Sequence, residues 1–167
     1  FPGNNVQISS KADAILLLSL ISGRNAELLI GQHIQSAFKL KESNLCIMPC
    51  GYILIESGSL TSAQYMSNTL PIPKTKFEIG AATALAGDQL GLRFMYLDAG
   101  SGADFPINSN MIKAIKKVIK TPLFVGGGIK TQSEMEDAWN SGADIVVVGN
   151  AIEGNKDLLL NFNVTHN

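Results

Sequence analysis

The sequence has no excess of charge of either sign. Its 13 Lys and Arg stand against 14 Asp and Glu, a formal net charge of -1. A nucleic-acid binder carries a basic face, so no nucleic-acid partner is expected. Cysteine is scarce: only Cys46 and Cys50, in "NLCIMPCGYILI", with no second pair and no histidine close by. Zinc asks for about four ligands, so the pair is expected to be two reduced, buried thiols. Long hydrophobic runs are missing too. Nothing approaches the ~20 apolar residues of a membrane span, and "AILLLSLI" (Ala14–Ile21) is short enough to read as a buried strand. A basic-then-apolar leader is absent, and a cytoplasmic location is the expectation. The chain also lacks an initial methionine. "FPGNN" reads as the end of a strand and its loop, so the expectation is a fragment or a chain with further residues ahead of Phe1.

What is present is one globular unit. The 167 residues are 46% hydrophobic and 16% charged, enough for a sizeable core, and residues 1–167 are read as a single domain without linker or repeat. Apolar runs at Ala14–Leu20, Gly51–Ile55, Arg93–Leu97, Pro122–Val125 and Asp144–Val148 alternate with helical patterns at Ala26–Lys41, Phe77–Leu90, Ser109–Lys120 and Gln132–Ser141. That alternation predicts a parallel sheet with helices packed outside it. Unbroken apolar runs suit strands buried on both faces. Asn108 or Ser109 can cap one helix and Thr131 or Ser133 the next. Gly142 suits a helix C-terminus. The stretch Ser67–Lys76 reads as a loop, because Pro71 and Pro73 oppose helix and central strand.

An open doubly wound sheet and a (β/α)8 barrel both fit this alternation. A dinucleotide fold places its glycine fingerprint after the first strand, whereas "GGGIKT" follows a late one. Barrels often hold phosphate on the loops after their last two strands. Gly126, Gly127 and Gly128 follow one apolar run, and Gly149 and Asn150 follow the next. Glycine there lets backbone N–H groups approach an anion and permits positive φ. The turn could be tight for its own sake, but two such turns one βα unit apart favour a phosphate site. A third element, "FMYLDAGSGAD", ends a strand at Asp98. A carboxylate at a strand's C-terminal mouth can accept from substrate hydroxyls and help deprotonate one. Tyr96 shares its face if the strand alternates, and Ser101 between Gly100 and Gly102 can add a hydroxyl to the same anion.

In this order and spacing, "YLDAGSGA", "VGGGI" and "VGNAIE" resemble the geranylgeranylglyceryl phosphate synthases and the related heptaprenylglyceryl phosphate synthases. "YMSNTLPIPK" and "GYILI" look like the middle of the same family, and the likeness runs from "FPGN" to about Ile152. The resemblance implies a modified (β/α)8 barrel, here lacking its first two to three strands. It implies a magnesium-dependent prenyltransferase of ether-lipid biosynthesis, joining a prenyl diphosphate, geranylgeranyl by expectation, to the sn-3 hydroxyl of sn-glycerol 1-phosphate. Carried over by motif, the glycerol phosphate would touch Tyr96, Leu97, Asp98, Ala99, Gly100, Ser101 and Gly102, then Gly127 and Gly128, then Gly149 and Asn150, with Asp98 catalytic. An acidic residue, most often glutamate, follows Tyr-Leu in the family; Asp98 is one methylene shorter, so it would reach the glycerol directly or through water. The magnesium ligands are expected upstream of Phe1, with none in this chain, which alone would be inactive towards prenyl diphosphate. A homo-oligomer, dimer or hexamer, is implied as well.

Other residues carry weaker expectations. Ile8, Leu17, Ile53, Ile55 and Tyr65 are candidate walls for an isoprenoid groove, with plain core as the default. His33 reads as a surface or interface residue, Trp139 as a packing residue, and His166 as part of a polar tail. Two further readings stay open: a sugar-phosphate isomerase or aldolase using the same glycine loops, and an inactive barrel fragment. The first usually needs a lysine or a second carboxylate at a strand end, and Lys130 comes after its turn.

Overall fold

The computed structural model describes residues 8–157. "FPGN" and His166 lie outside them. Five strands, β1 (Ala14–Leu20), β2 (Cys46–Leu54), β3 (Phe94–Asp98), β4 (Leu123–Gly126) and β5 (Ile145–Val147), form one sheet in the order β1-β2-β3-β4-β5. Every pairing is parallel. The order never reverses, so there is no switch point of the doubly wound kind. The arrangement is five consecutive strands of a (β/α)8 barrel, with β1 and β5 as the sheet's edges among the described residues.

The helices are α1 (Gln32–Glu42), entered through a π-helical turn at Glu27–Gly31, then α2 (Ser62–Ser67), α3 (Phe77–Gln89), α4 (Ser109–Lys116), α5 (Gln132–Asn140) and α6 (Asn150–Gly154). Their ends follow from local chemistry. Asn108 caps α4 by accepting from the Asn110 N–H at 2.8 Å. Thr131 and Glu134 form a reciprocal capping box on α5. Gly142 takes φ of 112° just past that helix.

Strand alternation sorts the side chains into two layers. Ile53, Ile55, Met95, Leu97, Leu123 and Val125 pack against Ala84 of α3 and Met111, Ile112 and Ile115 of α4. Burying each large side chain contributes roughly 1.5–3 kcal/mol, so this layer holds the helices to the sheet. Leu20, Tyr52 and Leu54 face the other way, with Leu18 and Tyr96, and Leu28 and Ala63 pack onto them. This second layer is the barrel interior.

The strands and helices predicted from the sequence are present, with shifted bounds and several corrections. β2 begins at Cys46 rather than Gly51 because residues ahead of Cys50 pair with β1 alone. Pro49 fits there: its carbonyl accepts from the Arg93 N–H at 3.0 Å, so its missing N–H falls on the side where β3 has not yet begun. α2 and α6 were not anticipated; both are short, and α2 ends at Asn68 with φ of 48°. Of the two thiols only Cys50 is buried; Cys46, at the open start of β2, is exposed. His33 is half-buried and shares a 2.9 Å hydrogen bond with the Ser19 hydroxyl, and burial lowers its pKa. Ile53 and Ile55 belong to the helix-facing core and cannot wall a groove, while Tyr65 is 73% exposed. Trp139 packs against the core.

Candidate functional site

β3, β4 and β5 end side by side, and parallel pairing sends the loops after them to one mouth. Together they enclose a cavity of about 430 Å3, lined by Tyr96, Asp98, Ser101, Gly102, Gly127, Gly128, Gly149 and Asn150, and also by Ala103, Ile129, Lys130, Val147, Ala151 and Glu153. The loops lock onto one another. The Ala99 N–H donates to the Gly126 carbonyl at 3.0 Å. The Ser101 hydroxyl donates to Asn150 Oδ1 at 3.0 Å, joining the loop after β3 to the start of α6.

Of the residues expected to touch ligand, Leu97, Ala99 and Gly100 do not line the cavity. Leu97 is fully buried towards the helices and Ala99 is 1% exposed. Ala99 and Gly100 tie the loop: the Ser57 hydroxyl donates to the Ala99 carbonyl at 2.6 Å, and the Gly100 N–H donates to Asp98 Oδ1 at 2.8 Å.

The glycines differ in what requires them. Gly127 has φ of 84°, and a Cβ there would lie 2.8 Å from the Ala99 nitrogen, the Gly100 nitrogen and Asp98 Oδ1. Gly126 is bare because the Tyr96 hydroxyl fills its side-chain space, 2.7 Å from where a Cβ would stand. Gly149 corrects the expectation of positive φ: its φ is -117°, and an added Cβ would meet no protein atom. Its bareness opens onto the cavity alone.

Asp98 accepts from two directions, from Gly100 on Oδ1 and from the Tyr52 hydroxyl on Oδ2. Tyr96 stands edge-on to Tyr52, ring centroids 5.6 Å apart. Burial first, and the neighbouring Asp98 carboxylate second, raise the pKa of both phenols well above the usual tyrosine range. Both therefore stay protonated near neutral pH. Lys130 is the one lysine or arginine along the lining, and its Nζ donates to the Asp104 carbonyl at 3.2 Å. Asp104 in turn accepts from the Ser59 N–H at 2.7 Å and hydroxyl at 2.5 Å, which ties in the loop after β2.

Sequence reading missed Tyr52 and set Lys130 aside. Tyr52 stood in "GYILI" as one more apolar residue, and only its register opposite Tyr96 brings it near Asp98. Lys130 lies two residues past the bare turn, yet it lines the cavity.

A cavity with bare glycine turns, one ammonium, hydroxyls and the carboxylates of Asp98 and Glu153 suits a small phosphate ester bearing hydroxyls. Among the described residues no three His, Cys, Asp or Glu side chains gather closely enough to hold a metal ion. No described helix is long and apolar enough to cross a membrane.

Residues 1–165 match the PcrB family. The chain is 54% identical over 159 residues to the geranylgeranylglyceryl phosphate synthase of Spirosoma linguale, covering 95% of this chain and 64% of that protein. It is 44% identical over 153 residues to the Pyrococcus furiosus protein of the same name, covering 92% and 60%. Among solved structures it is similar to (S)-3-O-geranylgeranylglyceryl phosphate synthase from Thermoplasma acidophilum in complex with substrate sn-glycerol-1-phosphate. The TM-score is 0.86 at 30% identity, over 92% of this chain and 61% of that one. The chain thus spans less than two thirds of the length of each.

Proposed function

The chain belongs to the PcrB family, and from that premise we propose that it carries the acceptor half of a prenyltransferase site, joining a prenyl diphosphate, of geranylgeranyl length, to the sn-3 hydroxyl of sn-glycerol 1-phosphate for ether-lipid synthesis. The observation that carries this reading is the convergence of Ser101–Gly102, Gly127–Gly128 and Gly149–Asn150 on one cavity beside Asp98. The relative solved with sn-glycerol-1-phosphate supports the choice of ligand.

In this reading the three bare loops and Lys130 take the phosphate, and Asp98 and Tyr96 take the glycerol hydroxyls. The sn-3 oxygen forms a bond to the allylic carbon of the donor, the bond from that carbon to the diphosphate oxygen breaks, and the diphosphate leaves with the electron pair. The hydroxyl proton passes to Asp98, directly or through water. Holding the hydroxyl in line supplies much of the rate, because orientation replaces an encounter in solution. Magnesium belongs to the proposed reaction too, held by residues other than those described. A homo-oligomer in the cytoplasm completes the proposal.

Calorimetric titration of the purified chain with sn-glycerol 1-phosphate, its sn-3 enantiomer, and a panel of sugar phosphates tests the reading. Preferential binding of sn-glycerol 1-phosphate is expected. Tighter binding of a sugar phosphate would instead favour an isomerase or aldolase.

A further inference from the structure

The cavity is built by the loops after β3, β4 and β5, and no residue of β2 lines it. Yet β2 reaches the site through one side chain. Tyr52, 4% exposed, projects into the barrel interior, and its hydroxyl donates to Asp98 Oδ2. Resting on the glycerol phosphate reading above, we propose that Tyr52 is a positioning residue for polyol phosphate binding, which acts by fixing the carboxylate of Asp98 towards the cavity.

The argument rests on counting lone pairs. A carboxylate has about four acceptor positions. The Gly100 N–H at 2.8 Å takes one on Oδ1 and the Tyr52 hydroxyl takes one on Oδ2. With a donor on each oxygen the group is held against rotation about its last torsion, and each oxygen keeps a lone pair for a ligand hydroxyl. Without Tyr52 only the Oδ1 contact remains, and it comes from a backbone amide two residues along the same loop. Tyr52 itself is set rigidly. It pairs with Tyr96 across β2 and β3, while Leu54 pairs with Asp98. Its ring packs edge-on against Tyr96. Its raised pKa keeps the proton on the phenol, so the bond has one direction, Tyr52 giving and Asp98 accepting. Tyr52 is therefore no proton acceptor, and it needs no contact with ligand to matter.

The test is a double-mutant cycle read as the Kd for sn-glycerol 1-phosphate, on the unsubstituted chain, Tyr52→Phe, Asp98→Ala and the double variant, each checked by circular dichroism. Loss of one hydrogen bond to a charged group is expected to weaken binding about 10-fold in Y52F. In the Asp98→Ala background the same change is expected to move Kd by less than about 2-fold, because the group it positions has gone. Equal losses in both backgrounds would mean that Tyr52 only supports the fold, and unchanged binding in Y52F would also overturn the proposal. If Y52F does not fold, 3-fluorotyrosine incorporated at position 52 keeps ring and hydroxyl while altering donor strength, and a Kd that does not move then counts against positioning. Failure of the unsubstituted chain to bind any polyol phosphate overturns the functional reading and this proposal together; binding by it without coupling overturns this proposal alone.

Discussion

Replacing Gly127 with alanine adds one methyl group at the tightest point of the site. The residue holds φ of 84°. An L-residue in that region costs roughly 1–2 kcal/mol. The new carbon would also stand 2.8 Å from two backbone nitrogens and from Asp98 Oδ1, all inside the contact distance that real Cβ atoms keep. Two of the three are main chain in a turn already fastened by hydrogen bonds from Ala99 to Gly126 and from Gly100 to Asp98, so they yield little. Overpacking of this kind costs roughly 1–3 kcal/mol. The sum is about 2–5 kcal/mol, which for a chain of this size lowers Tm by roughly 4–20 °C. Gly149→Ala is the matched control, since its φ is negative and its Cβ would meet nothing. Its stability is expected within about 0.5 kcal/mol of the parent, while its methyl group intrudes where the anion would sit and weakens phosphate binding about 10-fold or more. Differential scanning fluorimetry and calorimetric titration on both variants give the two numbers each. A Gly127→Ala protein with the parent's Tm and the parent's affinity would refute the steric reasoning. A Gly149→Ala protein with full affinity would refute the location of the anion.

Three further outcomes are expected. Asp98→Ala leaves the fold intact, as followed by circular dichroism, but weakens sn-glycerol 1-phosphate binding about 10- to 100-fold, the worth of hydrogen bonds to a charged group; near-parental affinity would remove Asp98 from the site. In native protein a thiol reagent at mildly alkaline pH is expected to label Cys46 promptly and Cys50 only on unfolding, because Cys50 is buried and its pKa is pushed up to about 12; prompt labelling of both would contradict the packing of β2. The two Ser59 donors hold the Asp104 pKa below its ordinary value of 3.8. A depressed carboxylate stabilises the folded state above its unfolded pKa, and that contribution is lost as pH falls through the folded value. Ser59→Ala should therefore be less stable than the parent at pH 7, with the gap closing below about pH 4; a gap that persists at acid pH would mean that the serine acts otherwise.

The sequence made the layers of this protein legible because hydrophobic period is a local property. The run Ala14–Leu20 became β1 to the residue, and Thr131, one of two caps the sequence offered, starts α5. The glycine loops were legible for a similar reason: a bare turn after an apolar run leaves a mark that needs no partner to be read. Tyr52 was hidden because its importance lies in register, and the offset between β2 and β3 is fixed by pairing across some forty residues. Gly149 lines the cavity for a reason other than a left-handed turn, which its backbone does not need. α2 escaped notice because six residues hold too few turns to display a helical period.

The unreversed strand order has a kinetic side. Among the described residues each strand pairs with the one made just before it, so these five strands can assemble one βα unit at a time as the chain leaves the ribosome. The binding cavity does not share that gradual history. It draws on the ends of β3, β4 and β5 and on the Ser101–Asn150 clasp, all of which must be in place together. A nascent chain halted before Asn150 would have most of its core and none of its clasp, and affinity for phosphate would arrive late in synthesis, in a single step.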